Sequence, residues 1–82
     1  MKVLLIDADP GTRENFSCAA RAALPCEVVG TDDFAPAWTL LMEAEPPFDV
    51  VFADPGAVDG AGFEWLRQIR LGSWHRPVSV VL

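Results

Sequence analysis

The sequence predicts an α/β domain built on a parallel sheet, and three observations carry that prediction. Two continuous apolar runs, Val3-Leu4-Leu5-Ile6 and Val50-Val51-Phe52-Ala53, lack the polar alternation of a half-exposed strand, so each reads as a strand covered on both faces. Helical periodicities lie between the strand patterns, which is the order of βαβ units. Both apolar runs end in aspartate, at Asp7 and Asp54. In open parallel sheets, binding sites lie at the carboxyl ends of the strands.

After the first run, Asp9-Pro10 reads as a helix start, with Asp as N-cap and Pro as first helical residue. The helix is predicted over about 10–24, with Phe16, Ala19, Ala20 and Ala23 at i, i+3, i+4 and i+7 forming its apolar stripe. Pro25 ends it. Cys26-Glu27-Val28-Val29-Gly30 is a short second strand whose polar content suits a sheet edge. Thr31, Asp32 and Asp33 are N-cap candidates for a helix over 34–45, with Phe34, Trp38, Leu41 and Met42 on one face and Pro36 in the first turn. Pro46-Pro47 stops it before the 50–53 strand. The loop 55–60 leads to a third helix over about 61–71, burying Phe63, Leu66 and Ile69, with Gly72 and Ser73 closing it. Val78-Ser79-Val80-Val81-Leu82 is the fourth strand. Right-handed crossovers place helices on both faces of such a sheet.

Composition narrows the function classes. The chain has 82 residues, 51% of them hydrophobic, which suits one domain with a real core. The formal charge is −6 with no basic cluster. That argues against a nucleic-acid footprint and against anionic lipid. No stretch approaches a membrane span, and Val3–Ile6 is too short for a signal-peptide core, so the reading is of a cytoplasmic protein. Cys18 and Cys26 match neither a redox pair nor a zinc knuckle and read as small apolar residues in a reducing compartment. His75, between Trp74 and Arg76, reads as a surface residue, and Trp38 and Trp65 as helix packing.

The acidic residues at the strand ends suit one chemistry. If the first and third strands are neighbours, Asp7, Asp9 and Asp54 converge. Mg²⁺ takes oxygen ligands, keeps several waters and binds phosphate oxygens. A carboxylate beside it can act as nucleophile and become an acyl phosphate. Asp54 is the candidate nucleophile, and Asp7 and Asp9, with Asp54 itself, the candidate metal ligands. Each also has a purely structural use: Asp9 as an N-cap, Asp54-Pro55-Gly56 and Asp59-Gly60 as turns. Asp7 is the hardest to explain that way.

Four segments resemble the receiver domains of bacterial response regulators. Lys2-Val3-Leu4-Leu5-Ile6-Asp7-Ala8-Asp9-Pro10 is similar to their opening. Pro46-Pro47-Phe48-Asp49-Val50-Val51-Phe52-Ala53-Asp54 is similar to the phospho-acceptor strand and its lead. Asp59-Gly60-x-x-Phe63-x-x-Leu66-x-x-Ile69-Arg70 is similar to the helix after the acceptor loop, and Arg76-Pro77-Val78-Ser79-Val80-Val81-Leu82 to the fourth strand. The resemblance covers residues 1–82 as one partial domain. It implies a flavodoxin-like three-layer α/β sandwich with strand order 2-1-3-4, lacking the fifth strand and last helices. It implies Asp54 as phospho-acceptor and Asp7 as first member of the acidic pair. Gly56 is the nearest match for the residue whose backbone carbonyl binds Mg²⁺. The implied partner is a histidine kinase or phosphotransfer protein, and the implied role is phosphorelay signal transduction rather than enzymatic turnover.

Three departures matter. The second position of the acidic pair is Ala8, with Asp9 as the possible substitute, since alternate residues of an extended chain face one side. The acceptor loop is shorter than the family's and lacks its Met-Pro. The hydroxyl residue after the fourth strand and the lysine after the fifth have no counterpart, so a truncated chain with an exposed fourth strand is expected, open to homodimerisation there. A degenerate receiver, acting as a phosphorylation-independent interaction module, is the alternative. Asp7-Ala8-Asp9 also resembles the opening of haloacid-dehalogenase-like phosphatases, but Gly11 stands where that motif has Thr and Thr12 comes one place late.

Overall fold

The computed structural model describes residues 1–58, 60–73 and 78–82. The readings of Asp59, Trp74, His75 and Arg76-Pro77 lie outside the described residues. In chain order the elements are β1 (Lys2–Ile6), α1 (Pro10–Ala23), β2 (Glu27–Thr31), α2 (Phe34–Glu43), β3 (Val50–Ala53), a 3₁₀ turn (Pro55–Ala57), α3 (Gly60–Gln68) with a widened last turn (Ile69–Ser73), and β4 (Ser79–Val81). Among the described residues the strands form one parallel sheet of order β2-β1-β3-β4. The fold is therefore α/β, with the strand order 2-1-3-4 that the resemblance implies.

Strand alternation divides the core in two. Leu4 and Ile6 of β1 join Val51 and Ala53 of β3 and Val80 of β4 in the larger cluster, beneath α2 and α3. Those helices contribute Ala37, Leu41, Leu66 and, from the widened turn, Ile69. Val3, Leu5 and Val28 face the other way and pack with Phe16 and Ala20 of α1 and with Phe52. β1 is thus covered on both faces, whereas β3 is fully buried on one face only, with Val50 and Phe52 half-buried on the other. Leu4 and Val51 are completely buried, and each such side chain stabilises the fold by about 1.5–3 kcal/mol.

Several local expectations are revised. The half-buried side of α1 is Arg13, Phe16, Ser17 and Ala20, while Ala19 and Ala23 are exposed and no residue of the helix is fully buried. Alanine gives no phase signal strong enough to fix the stripe, and the Phe16 ring sets it by packing on Phe52 at 5.0 Å. Cys18 is exposed on this helix, and Cys26 is half-buried. In α2 the buried residues are Ala37 and Leu41, and Met42 is exposed. That helix ends at Glu43, earlier than expected, with Ala44 already extended. The third helix loses its α geometry at Ile69, and Gly72 adopts φ 98°, a left-handed conformation that glycine takes without strain. β2 is an edge strand as expected.

The approach of α3 to α2 depends on Gly62. A Cβ there would stand 2.7 Å from the Phe34 ring and 2.9 Å from Val58.

Candidate functional site

The site is set by where β1 and β3 end. Ile6 and Ala53 are partners in the parallel register, and Asp7 and Asp54 are the residues that follow them. Each aspartate continues the ladder by one bond. Asp54 donates its backbone N–H to the Ile6 carbonyl at 2.8 Å, and Asp7 donates its own to the Thr31 carbonyl of β2 at 3.0 Å. Two residues distant in sequence are therefore held level at adjoining strand ends.

Both line one depression of about 250 Å³ at the carboxyl edge of the sheet. Its floor is apolar, formed by Leu5, Phe16, Phe52 and Val81, and Thr12 stands at its side. Asp54 is exposed and Asp7 half-buried. Asp7 uses Oδ1 to accept the backbone N–H of Asp9 at 2.9 Å. Asp54 uses Oδ1 to accept that of Gly56 at 3.2 Å, and its carbonyl accepts the Ala57 N–H at 2.9 Å, which winds the 3₁₀ turn. Each carboxylate keeps Oδ2 without a hydrogen bond among the described residues.

Asp9 is employed differently. Its Oδ1 accepts the Gly11 N–H at 3.0 Å and its Oδ2 accepts the Thr12 hydroxyl at 2.9 Å, so both oxygens serve the N-terminus of α1. The Thr12 hydroxyl, then the Gly11 N–H, hold the Asp9 carboxyl below the usual carboxylate range. Ala8 is exposed and offers no ligand. Gly56 lies in the 3₁₀ turn with its amide turned to Asp54, and it does not line the depression.

The sequence-predicted residues thus divide. Asp7 and Asp54 meet at one depression, while Asp9 caps the helix and Gly56 shapes the turn. Among the described residues, no three acidic, His or Cys side chains gather closely enough to hold a metal ion between them. The fit to Mg²⁺ rests on two carboxylates, each with one oxygen unbonded among the described residues. That suits an ion that keeps most of its waters and takes one or two carboxylates together with a phosphate.

Two supporting residues escaped the sequence reading. Arg13 donates from its guanidinium to the Asp7 carbonyl, and its stem lies over Gly30 of β2, where a Cβ would come within 3.2 Å of Arg13 Cδ. Thr12 holds Asp9. Both lie in the first turn of α1, three and four residues after the cap, and that spacing was the available signal.

Among the described residues, the chain is an open parallel α/β protein with two aspartates at one depression, at the ends of two adjoining strands. No family model, curated protein or solved structure matches the chain significantly. Among the described residues no helix is long and apolar enough to cross a membrane.

Proposed function

We propose that this chain is a receiver-like signalling module of flavodoxin-like architecture that accepts a phosphoryl group on Asp54 from a histidine kinase or phosphotransfer protein. The observation that carries the reading is the placement of Asp7 and Asp54 one residue past the paired Ile6 and Ala53, at one depression. The sheet order β2-β1-β3-β4 and the four sequence segments that resemble receiver domains support it further.

In this reading the free Oδ2 of Asp54 attacks the phosphorus of a phosphohistidine. The phosphorus–nitrogen bond breaks, the imidazole leaves with the bonding pair and takes up a proton, and an acyl phosphate forms. Asp7 lines the same depression as the nucleophile, from the end of the adjoining strand. Mg²⁺, held by Asp7 and Asp54, would supply neutralising charge for the phosphoryl oxygens. Arg13 positions Asp7 by binding its carbonyl. The exposure of Asp54 leaves the nucleophile open to a partner's side chain.

The second reading is a degenerate receiver that binds a partner without phosphorylation. The cap engagement of Asp9 favours it, because with Ala8 it reduces the carboxylates at the depression to two. Calorimetric titration of Mg²⁺ into the parent chain, Asp7→Ala and Asp54→Asn separates the two. Binding by the parent and its loss in both variants supports the phosphoryl acceptor. Absence of binding in the parent at millimolar Mg²⁺ favours the degenerate module.

A further inference from the structure

Apart from Asp7 and Asp54, the depression at the strand ends is lined, among the described residues, by apolar side chains and Thr12. Ionised carboxylates only accept hydrogen bonds, so Thr12 carries the one side-chain donor of that lining. In the structure its hydroxyl donates to Asp9 Oδ2 at 2.9 Å. Asp9 itself does not line the depression. Thr12 therefore stands between the helix cap and the acidic depression, with a donor that can serve either.

The bond to Asp9 is easily exchanged. Thr12 and Asp9 are both exposed, so water competes for it. A threonine in a helix takes two staggered χ1 positions, and its hydroxyl proton rotates to suit the acceptor. When the hydroxyl leaves, Asp9 Oδ1 still accepts the Gly11 N–H at 3.0 Å, so α1 keeps a cap. A phosphoryl group on Asp54 changes the competition. It brings about two negative charges and three strong acceptor oxygens to a depression whose aspartates have no proton to offer. Hydrogen bonds to such ionised oxygens are among the strong ones.

We propose that Thr12 is the phosphoryl-binding hydroxyl of this site, turning from Asp9 to a phosphoryl oxygen as the group passes to Asp54. The inference rests on Asp54 as the acceptor. With acetyl phosphate as donor, Asp54 Oδ2 attacks phosphorus, the bond from phosphorus to the acetyl oxygen breaks, and acetate leaves with the bonding pair. Thr12 donates a hydrogen bond as charge redistributes over the phosphoryl oxygens, and it keeps its proton.

The test is the initial rate of adduct formation on the whole chain with acetyl phosphate and Mg²⁺, followed by intact mass, for the parent, Thr12→Val, Thr12→Ser and Asp9→Ala. Thr12→Val removes the hydroxyl and Thr12→Ser keeps it. Asp9→Ala breaks the same Thr12–Asp9 bond from the other side and leaves the hydroxyl in place. Far-ultraviolet circular dichroism confirms that each chain is folded at the assay temperature. Thr12→Val should be slower by about tenfold or more, while Thr12→Ser stays close to the parent rate and Asp9→Ala equals or exceeds it. A modified parent with Thr12→Val just as fast would overturn the role of Thr12 and leave Asp54 as the acceptor. Equal slowing of Thr12→Val and Asp9→Ala would also overturn it, by confining Thr12 to the helix cap. A parent that takes up no phosphoryl group would overturn Asp54 as the acceptor and the role of Thr12 with it.

Discussion

Asp54 donates its backbone N–H to the carbonyl of Ile6 at 2.8 Å, and this one bond carries the β1–β3 ladder past the last regular pair to the two aspartates that follow. The acidic site is thus a consequence of register. A one-residue slip of β3 would send Asp54 to the other face of the sheet, and the buried alternation of Val51 and Ala53 prevents it.

Ala8→Asp places a carboxylate next to Asp7, at an exposed position that can accept a charge. If Asp7 and Asp54 form a weak two-carboxylate site, the added ligand should raise Mg²⁺ affinity markedly. Calorimetric titration of Mg²⁺ into both chains checks this. Unchanged affinity would mean that the residue after Asp7 does not face the ion.

Asp9→Ala should lower the denaturation midpoint at neutral pH, because it removes acceptors for the Gly11 N–H and the Thr12 hydroxyl. The Asp9 carboxyl is depressed in the folded chain. Its contribution is therefore present above the unfolded carboxylate range, near about pH 4, and is lost as pH falls through the folded value. The difference between parent and variant should shrink in acid. Asp9→Asn, which keeps a capping oxygen, should retain most of the stability and leave Mg²⁺ affinity unchanged if Asp9 serves the helix alone. Urea titrations at neutral and acid pH, with the Mg²⁺ titration, read out each part.

Gly62→Ala should destabilise the chain by about 1–3 kcal/mol, since the new methyl meets the Phe34 ring and Val58 inside normal contact distance. Gly60→Ala, two residues away with open space around it, should show no such loss. Chemical denaturation of the pair distinguishes a packing requirement from a general preference for glycine at the helix start.

Leu66→Ala removes a side chain buried to 1% exposure beneath α3 and should destabilise by about 2–5 kcal/mol. A thermal scan would show a much smaller effect for Leu71→Ala, because Leu71 is 71% exposed.

The sheet was legible because its physics is written in single residues. Val3–Ile6 is satisfied by burial on both faces and Val50–Val51–Phe52–Ala53 by full burial on one and partial burial on the other, which suits parallel pairing with helices on both sides. Asp7 and Asp54 were legible for the same reason, as charges placed where apolar runs stop. The allegiance of Asp9 was not, since an N-cap and a metal ligand require the same residue type, and only the Thr12 and Gly11 bonds distinguish them. The phase of α1 was obscured by alanines, whose small side chains fit either face. The spacing of Phe63, Leu66 and Ile69 marked the covered face of α3, but Trp65, read as helix packing, stacks on Trp38 and still stays 56% exposed, which spacing does not encode.

The most direct measurement is intact mass after incubation with acetyl phosphate and Mg²⁺, on the parent chain and on Asp54→Asn. The account predicts one phosphoryl adduct on the parent, lost on treatment with hydroxylamine as an acyl phosphate should be, and none on the variant. An adduct that persists in Asp54→Asn, or a parent that stays unmodified, would contradict Asp54 as the acceptor.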